Sequence, residues 1–493
     1  MRKLLLASAA ILGATGGIAF AQTNAPTTQG QVIGNWMSGP AANNNNNAVG
    51  RANDPSGYAP KTDATPTPGT VVIRLNGRVE TEISANFTSA DTWTVSGVNY
   101  KINPVGIASY MRLYPGVDGL ATNGLRYGAS VELRENFPNP NGATAFSSAS
   151  SPSGYSSGET VFVRRAFVYM GTDQVGIVRI GQSDGVIGLF DNGTYTSATW
   201  EGGVGSFNGG MMQAETVQAG VAIPFAWLSQ AGSEYSNSKI VYLTPQFAGF
   251  DFGVQYAPSQ GNSYSNSTGS TALQAQTCLV AGPGCNNLST GVDATRWLNQ
   301  VAVGARYQGT FGPVNVGAYA VYETAGKESI PGGGAIQIGD SASLARNAGA
   351  MKYDNLSFVN AGLFVAVPSA GLTWAIDYNG GAVNGQLAMR PTGGAPENAI
   401  LTGLIYRNGP WVLGAEIGIV ESQGSANLTK VSQRKETEVA FGGTYNAAPG
   451  LALVLEYMHT ERHQGGFDFL ANGVGTTRDV KGNGVMFSTI VTW

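Results

Sequence analysis

SKIVYLTPQFAGFDFGVQYAPS, residues 238–259, is the stretch that decides the fold. In its second half Phe250, Phe252, Val254 and Tyr256 alternate with Asp251, Gly253 and Gln255. That period of two belongs to a strand with one apolar and one polar face; a helix would scatter both sets around its circumference. The first half is a second strand, and the short segment between them leaves room only for a tight turn. The unit is a hairpin of membrane-spanning length.

The same organisation extends in both directions. VVIRLNGRVETEIS, from Val71 to Ser84, puts Val71, Ile73, Leu75, Val79 and Ile83 on one face and Arg74, Asn76, Arg78, Glu80 and Glu82 on the other. Strands follow at 102–115 and 123–137, then pairs at 159–172 with 176–183, 295–311 with 314–325, and 355–368 with 371–382. Two further pairs, 397–408 with 411–423 and 432–447 with 451–464, precede a final strand NGVMFSTIVTW, 483–493. Connections within a pair are short and those between pairs long and polar, the asymmetry of periplasmic turns against external loops. The expectation is an all-β transmembrane antiparallel barrel of about 16 strands, enough to enclose an aqueous channel. Seventy glycines and 22 prolines among 493 residues suit many turns and long loops.

The N-terminus predicts export. Arg2 and Lys3 precede an apolar run, Leu4 to Leu12, and small residues close on Ala19, Phe20 and Ala21, so residues 1–21 read as a cleaved secretory signal peptide. Residues 22–69, rich in Asn, Gly, Pro and Thr, read as a flexible N-terminal extension, and 70–493 as the barrel. With 42% hydrophobic and 12% charged residues, mean hydropathy is −0.04, the middling value of a wall with one face in lipid and one in water. The mild net charge of −4 argues against a nucleic-acid partner. Cys278 and Cys285, either side of a Gly-Pro-Gly turn, are expected to form a disulfide in the oxidising periplasm, two free thiols being the alternative.

Catalysis and metal binding find little support. The chain holds two histidines, His459 and His463. Four apart on a strand they stand about 13 Å from each other, too far to share a metal ion, and no serine sits in a nucleophile elbow. Both are expected on the wet face near an external loop. No enzyme, cofactor or resident metal is expected.

NSKIVYLTPQFAGF, from Asn237 to Phe250, closely resembles the hairpin motif of general bacterial porins, where an N-S-I-x-Y-x-S-P-x-F-x-G-F run precedes an aromatic strand ending in Y-A. VFVRRAFVYMGTDQVGIVRIGQ, 161–182, resembles the strands leading into that family's third external loop. The last strand, with Phe487, Val491 and terminal Trp493, resembles the signal by which outer-membrane barrels are recognised for insertion, with Trp in place of the usual Phe. The resemblance implies a Gram-negative outer-membrane porin embedded in lipid, a homotrimer that passes small hydrophilic solutes and ions. It also implies a long third loop, Ser183 to about Ser236, folded into the lumen. Asp184, Asp191 and Glu201 of that loop would oppose a basic wall of Arg74, Arg78, Arg112, Arg126, Arg134, Arg164 and Arg179.

Alternation supports inward positions for Arg126, Arg134 and Arg179, whereas the adjacent Arg164 and Arg165 cannot both point inward without a bulge. A true constriction would set up a transverse field across the aperture; the plainer alternative is that these arginines solvate a wide lumen. Two other functions stay open: a solute-selective channel, and a structural or adhesive barrel whose loops or N-terminal extension bind a partner.

Overall fold

The computed structural model describes residues 66–89, 91–95, 98–101, 104–135, 161–183, 185–190, 238–259, 297–327, 353–384, 390–425, 427–470 and 473–493. Sixteen strands form one closed antiparallel barrel. In chain order they are β1 Thr70–Thr88, β2 Val105–Leu120, β3 Arg126–Glu135, β4 Val161–Thr172, β5 Gly176–Gln182, β6 Ser238–Leu243, β7 Phe250–Ser259 and β8 Trp297–Phe311. The second half comprises β9 Val314–Lys327, β10 Leu356–Val367, β11 Leu372–Ala382, β12 Glu397–Asn408, β13 Trp411–Ser422, β14 Arg434–Ala448, β15 Leu451–Gln464 and β16 Val480–Thr492. Each strand pairs with its neighbour in sequence, and β1 pairs with β16, Val79 opposite Val491 and Ile83 opposite Phe487. Closure leaves no free edge, which a hydrocarbon environment requires because unpaired N–H and C=O groups find no water there.

The two faces sort as the alternation predicts. On β7, Phe250, Phe252, Val254 and Tyr256 are exposed on the outside, while Asp251 and Gln255 are buried inside. Ile73, Leu75, Val79 and Ile83 of β1 face out, and Glu80 and Glu82 face in. Such inversion, apolar outside and charged inside, is what a barrel needs when lipid surrounds it and water fills it.

Short turns lie at one end and long connections at the other. In the turns after β8 and β12, Gly312 and Gly409 take φ of 58° and 57° ahead of Pro313 and Pro410, a left-handed position that glycine adopts without steric cost. Phe311, Trp374 and Trp411 lie outward toward the short-turn end, and Trp411 packs on Tyr445 with ring centroids 4.5 Å apart. Tyr256, Tyr322 and Tyr378 form a second outward set toward the long loops. These are two interfacial aromatic girdles. The side chain of Trp297, at the long-loop end of β8, lies outside the described residues.

The histidines correct the sequence reading. His459 and His463 share the phase of Leu453, Leu455 and Tyr457 and lie on the outer face of β15, near its external end. Their polarity argued for the lumen, but the strand's alternation puts odd-numbered positions outside.

Candidate functional site: the barrel lumen

After β5 the chain turns into a short helix, α1, Val186–Phe190, all five residues of which are buried. Helix α1 packs against β7, β8 and β9. Three inner-wall features receive it. Gln255 accepts a hydrogen bond from the Val186 backbone N–H at 2.5 Å. Gly253 leaves the space that Val186 and Phe190 occupy: a Cβ there would lie 2.8 Å from Val186 Cγ1 and 3.0 Å from Phe190 Cζ. Arg306 donates to the Leu189 carbonyl at 3.3 Å and sets its guanidinium over the Phe190 ring, 5.0 Å from the centroid.

Arg306 is itself held by Asp251, directly opposite it in the β7–β8 ladder, through Nε to Oδ1 at 3.1 Å and Nη2 to Oδ2 at 2.8 Å. A planar guanidinium suits this task because its donors form a fixed fork that meets a carboxylate at two points and still presents a face to an aromatic ring. Val186, Ile187, Leu189 and Phe190 join Val241, Leu243 and Val321 of the inner wall in one apolar cluster. One sector of the lumen is therefore a packed core.

The inner wall elsewhere is rich in charge. Glu80, Glu82, Glu416, Glu436, Glu438 and Glu456 project from β1 and β13–β15 and are buried. Arg434 and Arg462 stand at the external end of the same sector, both over the Phe469 ring at 5.1 and 5.7 Å, with Arg462 Nε 2.6 Å from Glu436 Oε1. Gln464 ties external segments there, accepting from Arg434 and donating to the carbonyls of Gln423 and Ser432.

The sequence-predicted residues distribute as follows. Arg179 is inward and fully buried, its guanidinium 4.8 Å from the centroid of Phe167. Arg126 lies at the short-turn end of β3, where its Nε meets Asp173 Oδ1 of the β4–β5 turn at 3.1 Å, away from the middle of the barrel. Arg78, Arg112 and Arg134 occupy one row of the ladder, Arg78 opposite Arg112 and Arg112 opposite Arg134, while Arg74 pairs with Gly116. The β3–β4 register jumps from Glu132 opposite Arg165 to Leu133 opposite Val163, so Arg164 is the extra residue of a bulge. The side chains of Arg74, Arg78, Arg112, Arg134 and Arg164 lie outside the described residues, as do Asp184, Asp191, Glu201, Cys278 and Cys285 entirely.

Phe487, Val491 and Trp493 face outward, and Trp493 exchanges backbone hydrogen bonds with Gly77 at 3.1 and 3.2 Å. The residues that sequence reasoning missed are Arg306, Asp251 and Gln255 as a set. Their inward phase was readable, but their mutual contact depends on register.

Comparison with known proteins assigns the family. The family model described as Gram-negative porin matches residues 7–465. Among curated protein sequences none matches the chain. Similar solved structures include an anion-selective porin from Comamonas acidovorans, with 15% identity, 86% of this chain and 100% of that one covered, and a TM-score of 0.48. The trimer form of OmpT, an outer membrane protein of Vibrio cholerae, gives 12% identity, 86% and 99% coverage, and a TM-score of 0.45. The outer membrane channel DcaP of Acinetobacter baumannii gives 10%, 87% and 100%, and 0.46. The chain belongs to the Gram-negative porin family, and it is a non-enzymatic outer-membrane β-barrel channel for passive diffusion.

Proposed function

We propose that this porin is a general-diffusion channel for small hydrophilic solutes and ions, narrowed by its third external loop. The observation that carries the reading is the docking of α1, the first described segment of that loop, on the inner wall through Arg306, Asp251 and Gln255. A loop fixed to the wall at its root is directed across the aperture. In this reading Asp184, Asp191 and Glu201 face the basic row of Arg78, Arg112 and Arg134, joined by Arg74, Arg164 and Arg179, and the field between the two charge sets orders pore water. Arg126, paired with Asp173 near the short turns, serves the periplasmic mouth.

The protein assembles as a homotrimer after removal of residues 1–21, with Phe487, Val491 and Trp493 as its insertion signal. Residues 22–69 remain as a flexible extension, and Cys278 and Cys285 are joined. The deciding experiment is the conductance of the refolded protein in planar bilayers over a range of salt, with candidate solutes titrated on the same channels. Conductance that rises in proportion to bulk salt, without solute block, supports general diffusion. Saturation, or block by one solute class at submillimolar levels, overturns it in favour of a selective channel.

A further inference from the structure

Helix α1 covers the inner wall at β7–β9, and the connection between β15 and β16 enters the lumen nearly opposite. The central strands of the two sectors, β8 and β15, stand seven apart in the ring of 16. Residues 465–470 and 473–479 of that connection are described.

Strand phase fixes the side of the wall on which the connection packs. Arg434 of β14, Arg462 and Gln464 of β15 and Val480 of β16 share the inward phase of Glu436 and Glu438, and all are buried. The Arg434 guanidinium stands 5.7 Å from the ring centroid of Phe467 and 5.1 Å from that of Phe469, and Arg462 stands 5.7 Å from Phe469. The two rings are 4.9 Å apart and gather with Val431 and Val480 into a small apolar cluster. Both rings therefore lie on the lumen side of the wall, over the two arginines. Aromatic faces attract a guanidinium that has lost its water.

Three features hold the connection in place. Gly466, at φ 80°, turns the chain where a Cβ would run into the Lys430 carbonyl. Across the returning segment the Phe469 N–H donates to the Arg478 carbonyl at 3.0 Å, the Arg478 N–H to the Phe467 carbonyl at 3.1 Å, and Arg478 Nη2 to Asp468 Oδ2 at 2.7 Å. At its base Gln464 donates to the carbonyls of Gln423 and Ser432 at 2.8 and 2.6 Å and accepts from Arg434 at 3.2 and 3.0 Å. That amide has both donors and its acceptor oxygen in use. Gly424, beside Gln423, exchanges two hydrogen bonds with Asn384, at 2.7 and 2.9 Å, so the next connection round is tied in as well. A satisfied buried network of this kind is rigid.

We propose that the β15–β16 connection is a second inward element of the channel, in which Phe467 and Phe469 narrow the external mouth and mask Arg434 from passing ions. Arg462 pairs with Glu436 at 2.6 Å, so the charge that the rings cover is chiefly that of Arg434, which persists at every relevant pH. A charge at the mouth biases ion choice only where ions can approach it. The inference rests on the diffusion-channel reading and adds to it a size limit and a charge mask.

The test compares the full chain with F467A/F469A, F469A and F467L/F469L, each taken forward once heat modifiability shows a folded barrel. Reversal potentials are read in planar bilayers under a salt gradient, and entry of a mono-, a di- and a trisaccharide by liposome swelling. F467A/F469A is expected to shift the reversal potential toward anions and to speed trisaccharide entry relative to the monosaccharide. F469A is expected to move both in the same direction by less, and it carries the test where the double variant does not fold. F467L/F469L keeps apolar bulk over the arginines and is expected to stay near wild type. A folded alanine variant with the wild-type reversal potential, or with the wild-type sugar ratio, overturns the proposal. Salt-proportional conductance of the wild type tests the diffusion reading separately, so the two fail independently.

Discussion

Arg306 and Asp251, 55 residues apart in sequence, meet across the β7–β8 seam at two points, and the same guanidinium reaches up to the carbonyl of Leu189 in α1. The pair is nearly solvent-free, with side-chain exposures of 6% and 0%. It joins the barrel wall to helix α1, so the packing of that sector of the lumen rests on one arginine.

Removing that arginine strands a buried carboxylate and releases α1. Arg306→Ala is expected to cost about 3–5 kcal/mol, the range for breaking one side of a buried pair. Single-channel conductance should rise or become noisy as the loop root loosens. Arg306→Lys keeps the charge without the two-point fit and should fall between. Folded Arg306→Ala with wild-type conductance and melting would show that the contact anchors nothing.

Gly253 is expected to tolerate no side chain while Val186 and Phe190 occupy the space above it. Gly253→Ala should destabilise by about 1–3 kcal/mol through overpacking. Val186→Ala in the same chain should restore part of the loss. A double-mutant cycle by thermal melting measures the coupling, and additive effects would place α1 elsewhere in solution.

The outer face sets a depth-dependent penalty. Val254→Arg, in the apolar belt of β7, should cost about 2–4 kcal/mol if its level is the membrane midplane, whereas Thr437→Arg, outward and opposite Glu461 near the external end of β14, should cost about 0–1 kcal/mol. Urea titration of folding into lipid vesicles gives both values. Equal penalties would show that Thr437 lies at the same membrane depth as Val254.

Trp493 covers Gly77 across the seam that closes the barrel: a Cβ on Gly77 would lie 2.5 Å from Trp493 Cζ2. An aromatic ring laid over a neighbouring-strand glycine shields that stretch of backbone from lipid. Gly77→Val should displace the ring, and Trp493→Ala should remove it. Both are expected to lower the yield of folded barrel in the heat-modifiability assay, with Trp493→Ala also reducing insertion in cells. Unchanged assembly of Trp493→Ala would count against the terminal residue as an insertion signal.

Alternation alone determined the fold, because side chains on a strand take opposite faces in turn whatever the strand pairs with. The run from Phe250 to Tyr256 therefore announced its lipid face, and the pairing of short and long connections gave the strand order. The same rule would have placed His459 outside beside Leu455 and Tyr457, had phase been weighed above polarity. What the chain could not disclose locally was which inward charges meet. That depends on register between strands far apart in sequence, as with Asp251 and Arg306, and on bulges such as the one at Arg164. Only the closed ladder decided that α1 lands on Gly253 and Gln255, and that the rings of Phe467 and Phe469 lie over Arg434 and Arg462, because each contact joins residues whose proximity exists only once neighbouring strands have paired.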